Sequence, residues 1–297
     1  MYEKHFGFRE KPFSLNPDPA FLYLGRQHSM ALTMLEYGVL NDAHIVVVSG
    51  NIGCGKTTLI RRLLNTLQAD TTVGLISNTH NAFGELIQWV AMAFGLPFEN
   101  KAKVMLYSSF VDFLIREYSQ GKRTVLIVDE AQNMDDATLE ELRIISNINA
   151  DKHVVLQLVL VGQPELRDTL RKPNLEQFVQ RISVDYHLDP LDKQGTIEYI
   201  THRLVIAGGD INIIPRDTME SIYDLSVGVP RIINSLCDTA LVYAFADGQR
   251  RVTSELVQQI VTEKEAKGLF GGGKTRYPRD SRDHVATAAP IHLKSAS

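Results

Sequence analysis

The first two-thirds of the chain alternate between two hydrophobic patterns. Short, nearly continuous apolar runs occur at His44–Ser49, Thr72–Ser77, Thr124–Val128, Val154–Val161 and Ser183–Leu188. They read as strands, because runs of this length rich in Val, Ile and Leu suit a sheet interior. Between them, Ser29–Leu40, Phe83–Phe94, Val104–Tyr118 and Asp136–Ser146 repeat apolar residues at helical spacing, and Asp135 and Asp136 mark a helix start. Strands alternating with helices predict a parallel sheet covered on both faces. From about Asp192 the strand pattern stops. Gly195–Ala207, Pro215–Ser226, Pro230–Ala246 and Thr253–Lys264 read as four helices, punctuated by Gly208-Gly209, Pro215 and Gly228-Val229-Pro230.

The expected organisation is an α/β core over residues 1–190, an all-helical unit over 191–267 and a tail over 268–297. The helical unit is small enough to need the core as a packing partner. Phe6–Phe13 through Tyr23-Leu24-Gly25 is rich in aromatics and prolines, and is expected to be an irregular lead-in packed on the core. The tail opens with Gly271-Gly272-Gly273 and sets Lys274, Arg276, Arg279, Arg282 and Lys294 against Asp280 and Asp283. It reads as disordered and basic.

With 44% hydrophobic and 22% charged residues in 297, the chain has enough apolar material for a full core. A net charge of −4 gives no sign of nucleic-acid binding, so that class of partner is not favoured. Cys54 and Cys237 stand far apart in no metal-ligand spacing, which fits a reducing compartment. No segment has the uninterrupted apolar length of a membrane span, and the start, with Glu3, Lys4 and His5, has no signal core. The expected location is cytoplasmic, with contact at the inner membrane at most peripheral.

Chemistry enters at Gly50-Asn51-Ile52-Gly53-Cys54-Gly55-Lys56-Thr57, which fits GxxxxGK[ST]. The motif needs a strand before it and a helix after it. Here His44–Ser49 precedes, and Thr58–Leu64 reads as a helix start. Such a loop turns its N–H groups toward phosphate oxygens at the positive end of the helix dipole. Lys56 is then expected to reach the β- and γ-phosphates and Thr57 to ligate Mg²⁺. The strand Thr124–Val128 runs into Asp129-Glu130, a Walker B arrangement. Asp129 would hold Mg²⁺ through water and Glu130 would polarise the attacking water. The strand at Thr72–Ser77 falls between these two in sequence, so the motif strands are not consecutive. Either motif alone can arise by chance; together they point to binding and hydrolysis of a nucleoside triphosphate.

Gln163, in Val161-Gly162-Gln163-Pro164-Glu165, ends a strand at the edge where parallel sheets bind ligands. It can orient water or sense the γ-phosphate, or be a structural turn residue. Arginine suits the charge spread over phosphate oxygens. Arg231 opens a helix of the second unit and can fold over the nucleotide of its own chain. Arg181 precedes the last core strand and can project toward a neighbouring subunit.

The lead-in Phe13-Ser14-Leu15-Asn16-Pro17-Asp18-Pro19-Ala20-Phe21-Leu22-Tyr23-Leu24, together with Val161–Leu166 and Gly228–Asn234, resembles the AAA+ ATPases related to general secretion pathway protein A. Gly74–His80 and Ser146–Asp151 resemble one subgroup, the secretion ATPases found with exosortase (PEP-CTERM) and exopolysaccharide systems. The resemblance runs from Tyr2 to about Phe270. It implies a P-loop AAA+ three-layer αβα core followed by a small all-α lid. ATP and Mg²⁺ are the implied cofactors, and nucleotide contacts extend from Gly50 to Thr58. Lys56 and Thr57 become the Walker A pair, Asp129 and Glu130 the Walker B pair. Gln163 takes the sensor 1 place, where a smaller polar residue is more usual. Arg231 takes the sensor 2 place and Arg181 that of an arginine finger, with Arg171 a weaker candidate. Leu24–His28 would lie near the adenine. Relatives in general secretion carry a membrane span and a peptidoglycan-binding part after the ATPase, and this sequence shows neither.

Three readings follow. The first is an ATPase that assembles into a homo-oligomer with shared ATP sites and serves envelope or polysaccharide export proteins. The second is a DNA-associated ATPase of the transposition-helper or initiator type. The residues count against it modestly, because the folded part is more acidic than the whole once the basic tail is removed. The third is a nucleotide-dependent switch with little hydrolysis, for which Glu130 has no obvious use.

Overall fold

The computed structural model describes residues 1–16, 19–67, 70–77, 85–150 and 153–267. Its strands are β1 (Ile45–Gly50), β2 (Thr71–Ile76), β3 (Arg123–Val128), β4 (Asn149–Ala150), β5 (His153–Val154), β6 (Gln157–Gly162) and β7 (Ile182–Leu188). Its α-helices are α1 (Glu3–Phe6), α2 (Arg26–Leu40), α3 (Lys56–Thr66), α4 (Leu86–Ala93), α5 (Lys103–Ser119), α6 (Asp136–Ile145), α7 (Pro164–Leu170) and α8 (Glu176–Val179), then α9 (Lys193–Ile206), α10 (Arg216–Ser226), α11 (Pro230–Ala246) and α12 (Ser254–Lys267).

Five strands form one parallel sheet in the order β2-β3-β6-β1-β7. Side chains alternate between its faces, and each face meets helices. Ile45, Val47, Leu126, Val128, Leu158 and Leu160 share a core with α4 to α8. Val46, Val48, Val125, Ile127, Val159 and Val161 share another with α2 and α3. Burial on both faces is why the strands read as apolar runs rather than alternating ones. Gln157 is buried at the start of β6, and its Nε2 donates toward the carbonyls of Gly38, Val39 and Ala43 at 3.3, 3.1 and 3.3 Å. It thereby ties the end of α2 and the turn that follows it to the start of β6.

A third core joins α9 to α12 with Tyr2, Phe6, Phe8, Phe13 and Phe21. The lead-in, grouped with the sheet in the sequence reading, therefore packs into the helical unit. The physical reason is size: four short helices have too little apolar surface to enclose a core unaided. Other differences are local. The single run expected over Val154–Val161 is broken, since β5 pairs antiparallel with β4 before β6 joins the sheet. The short helices α1, α7 and α8 carry too few turns to show a period. The expected tail 268–297 and the start of the helix expected at Phe83 lie outside the described residues. Among those residues, no helix is long and apolar enough to cross a membrane.

Candidate active site

The parallel strands end at one edge of the sheet, and the motif residues collect there. β1 runs into the loop Asn51–Gly55, and Gly55, at φ 96°, caps α3. Among the described residues, the N–H groups of Gly55, Lys56, Thr57 and Thr58 reach no backbone acceptor. Four open donors at a helix start form a ready anion cradle. Lys56 is buried and curls back on the loop, its Nζ donating to Gly50 O at 2.6 Å and Asn51 O at 3.1 Å. Burial pushes its pKa down.

The Thr57 hydroxyl donates to Asp129 Oδ2 at 3.0 Å, linking the loop to the end of β3. Asp129 is buried, which raises its carboxyl pKa, while its Oδ1 accepts the Glu130 N–H at 2.9 Å. Glu130 lies in the left-handed region at φ 54°, unusual for a residue with a side chain. Its Oε2 accepts from Gln132 Nε2 at 2.6 Å and from Gln163 Nε2 at 3.2 Å. Gln132 Oε1 in turn accepts the Gln163 N–H at 2.9 Å, tying the ends of β3 and β6 together. Sequence reasoning missed Gln132. Its signal was the Glu-x-Gln spacing directly after the Walker B carboxylates.

These groups face a cavity of about 460 Å³ between the loop, the strand ends, the C-terminal helices and the lead-in. Ile52, Gly53, Gly55, Lys56, Thr57, Thr58, Glu130, Gln163 and Arg231 line it. Gly50 and Asn51 contribute the carbonyls that hold Lys56. Cys54 turns its side chain into the core beneath, where burial pushes the thiol up to about 11. A thiol held this way is not expected to react with thiol reagents in the folded chain. Arg231 approaches from α11, its N–H donating to Gly53 O at 3.3 Å. Arg181 is not brought to this cavity, because it precedes β7 at the opposite end of the sheet. Arg171 is exposed and paired with Asp168 at 3.2 Å.

The wall away from the loop was not legible in sequence. Arg203 is buried with its guanidinium 5.0 Å from the Phe21 ring centre and 5.5 Å from that of Tyr199. It donates to Pro12 O at 2.5 Å and to the Tyr199 hydroxyl at 2.7 Å, and Tyr199 donates to Asn234 Oδ1 at 2.9 Å. Arg203, Tyr199, Asn234, Phe21 and Tyr23 all line the cavity, so the lead-in and the C-terminal helices meet at its wall. Pro12 and Arg203 are too far apart in sequence for any local pattern to couple them.

A match to the family described as AAA domain covers residues 40–170. It begins just before β1 and ends with α7, so it holds both motifs and Gln163 but not Arg181 or Arg231. The chain is similar to general secretion pathway protein A of Aeromonas hydrophila, 39% identical over 253 residues, which is 85% of this chain and 46% of that protein. It thus spans about half the length of the curated relative it matches. The fold is similar to the ORC2 protein of Aeropyrum pernix (TM-score 0.62, 20% identity, 86% of this chain and 72% of that one). It is also similar to Cdc6p of Pyrobaculum aerophilum (TM-score 0.64, 17% identity, 85% and 70%). Identities this low show a shared P-loop AAA fold and no more.

Such a fold implies a nucleotide with Mg²⁺, and the residues present fit it. Mg²⁺ takes one or two protein oxygens and leaves its other positions to phosphate and water. Thr57 and Asp129 provide that small oxygen set beside the cradle of N–H groups. No cluster of three His, Cys, Asp or Glu able to hold a metal by itself occurs among the described residues.

Proposed function

We propose that the chain is a Mg²⁺-dependent ATPase that works by assembly, and that it serves cell-envelope export. The observation that carries the ATPase part is the convergence on one cavity of the loop donors, Lys56, the Thr57–Asp129 pair and Glu130. Lys56 exchanges the carbonyls of Gly50 and Asn51 for β- and γ-phosphate oxygens. Thr57 and Asp129 would hold Mg²⁺, which when bound offsets the phosphate charge. Glu130, aligned by Gln132 and Gln163, takes the proton of the attacking water. Arg231 closes the cavity from a helical lid spanning 191–267, which includes the lead-in in its packing, while residues to about 190 form the catalytic core. Arg181 completes a site on a neighbouring copy.

The export role is supported by the similarity to general secretion pathway protein A. The narrower link to exosortase and exopolysaccharide systems is supported by the subgroup resemblance in Gly74–His80 and Ser146–Asp151. The test is ATP turnover per subunit measured over a wide range of protein concentration. Turnover that rises with concentration supports a site completed by a neighbour. A substantial rate that stays flat as the chain is diluted to monomer would remove the shared site.

A further inference from the structure

From the structure we infer that His28 is a positioning residue for phosphate binding: its ring fixes the peptide between Cys54 and Gly55 so that the Gly55 N–H faces the bound phosphates. The inference rests on the nucleotide-binding reading and goes beyond it. The sequence resemblance placed His28 near an adenine; the geometry gives it a different task.

His28 lies in the first turn of α2 and is 6% exposed. Its Nε2 sits 2.8 Å from Cys54 O. A carbonyl oxygen only accepts, so Nε2 carries the proton and Nδ1 bears the lone pair of a neutral ring. Burial, which pushes the His28 pKa down, favours that neutral state. Nδ1 is buried without any partner. A ring placed only for solubility or packing would not leave an acceptor in this condition. One nitrogen has been left unsatisfied while the other holds the loop.

What the hydrogen bond does follows from peptide geometry. The chain has no cis peptide bonds. Across a trans peptide, C=O and N–H point in opposite directions. With Cys54 O drawn toward His28, the Gly55 N–H must point away from α2, toward the cradle. Gly55 is at φ 96°, and a Cβ added there would lie 3.2 Å from His28 Nε2. Residues 28 and 55 are thus fitted to each other. Without the bond, a loop rich in glycine can flip this peptide, and the cradle then presents an oxygen to the anion instead of a donor.

The isosteric pair His28→Gln and His28→Met tests the inference in the full chain, because the two differ chiefly in an N–H donor. Calorimetric titration would use ADP, inorganic pyrophosphate and adenosine. His28→Met is expected to weaken ADP and pyrophosphate by the same factor, about tenfold, and to leave adenosine as in the wild type. His28→Gln is expected to keep both phosphate ligands within threefold of wild type. Pyrophosphate binding unchanged in His28→Met, with ADP weakened, would overturn the inference in favour of a base contact. Equal loss in both variants, with equal melting temperatures, would overturn it in favour of ring shape. A wild-type chain that binds neither ADP nor pyrophosphate would instead overturn the nucleotide reading beneath it.

Discussion

At Glu130 one carboxylate oxygen takes hydrogen bonds from two glutamine amides while the backbone sits at φ 54°. The general-base role proposed for Glu130 would need a defined geometry, and its carboxylate is held by Gln132 more closely than by Gln163. Gln132→Met keeps the volume and removes both polar contacts. It is expected to lower kcat by about 10- to 100-fold, part of what a general base supplies, while KM for ATP stays within threefold. Steady-state kinetics separate the two, and a raised KM at unchanged kcat would assign Gln132 to binding. Cys54 and Cys237 are both buried, and burial raises both thiol pKa values, so neither is a thiolate near neutral pH. An Ellman titration at pH 7.5 should find both unreactive in the folded chain and reactive in denaturant. Lys56, Thr57, Asp129 and Glu130 were legible in sequence because each pair sits at a short, fixed spacing after a strand, β1 or β3. His28 was legible only as a neighbour of the base, and Arg203 not at all, since its contacts join distant parts of the chain.

At the scale of elements, the approach of α11 to the phosphate loop depends on the turn between α10 and α11. Gly228 lies at φ 74°, and a Cβ added to it would fall 1.8 Å from Leu191 O. Its own carbonyl accepts the Leu191 N–H at 2.9 Å, holding the segment after β7 against the turn that leads to Arg231. Gly228→Ala combines left-handed strain with a backbone clash, and should cost about 3 kcal/mol or more. Denaturant unfolding would measure it, and a cost below about 1 kcal/mol would mean that the turn can move aside. The residue before it behaves in the opposite way. Val227 ends α10 at φ 49°, a conformation that suits glycine and strains a β-branched side chain, and it is 44% exposed. Val227→Gly is therefore expected to stabilise the chain by about 0.5–1 kcal/mol in the same assay. The sequence marked this turn through Gly228 and Pro230, because glycine admits the positive φ the turn needs and proline fixes φ at the first position of α11. The break between β5 and β6 was invisible, because Val155 and Leu156 are as apolar as the strand they interrupt.

At the scale of the whole molecule, the cavity joins distant parts of the chain, and Arg181, expected to project toward a neighbouring subunit, stands outside it. β7 has seven residues, which at about 3.3 Å each makes ~23 Å. Register pairs its first residue, Ile182, with Ile45 and its last, Leu188, with Gly50, where the phosphate loop begins. Arg181 therefore stands a full strand length from the loop of its own chain. No side-chain rotation spans that distance, so any role for Arg181 in hydrolysis must be played at a neighbour's cavity. A mixing experiment makes this decisive. Lys56→Ala has a disabled cavity and an intact Arg181; Arg181→Ala has the reverse. Each variant alone is expected to be nearly inactive. Mixed in equal amounts and allowed to exchange, they place a sound cavity beside a sound arginine at about a quarter of the contacts, if assembly is heterologous and random. Turnover should then rise toward about a quarter of the wild-type rate per subunit. If Arg181 acted within its own chain, no mixture could restore a site that neither partner possesses. Turnover that stays at the level of the separate variants, although the two are shown to co-assemble, would withdraw Arg181 from the site.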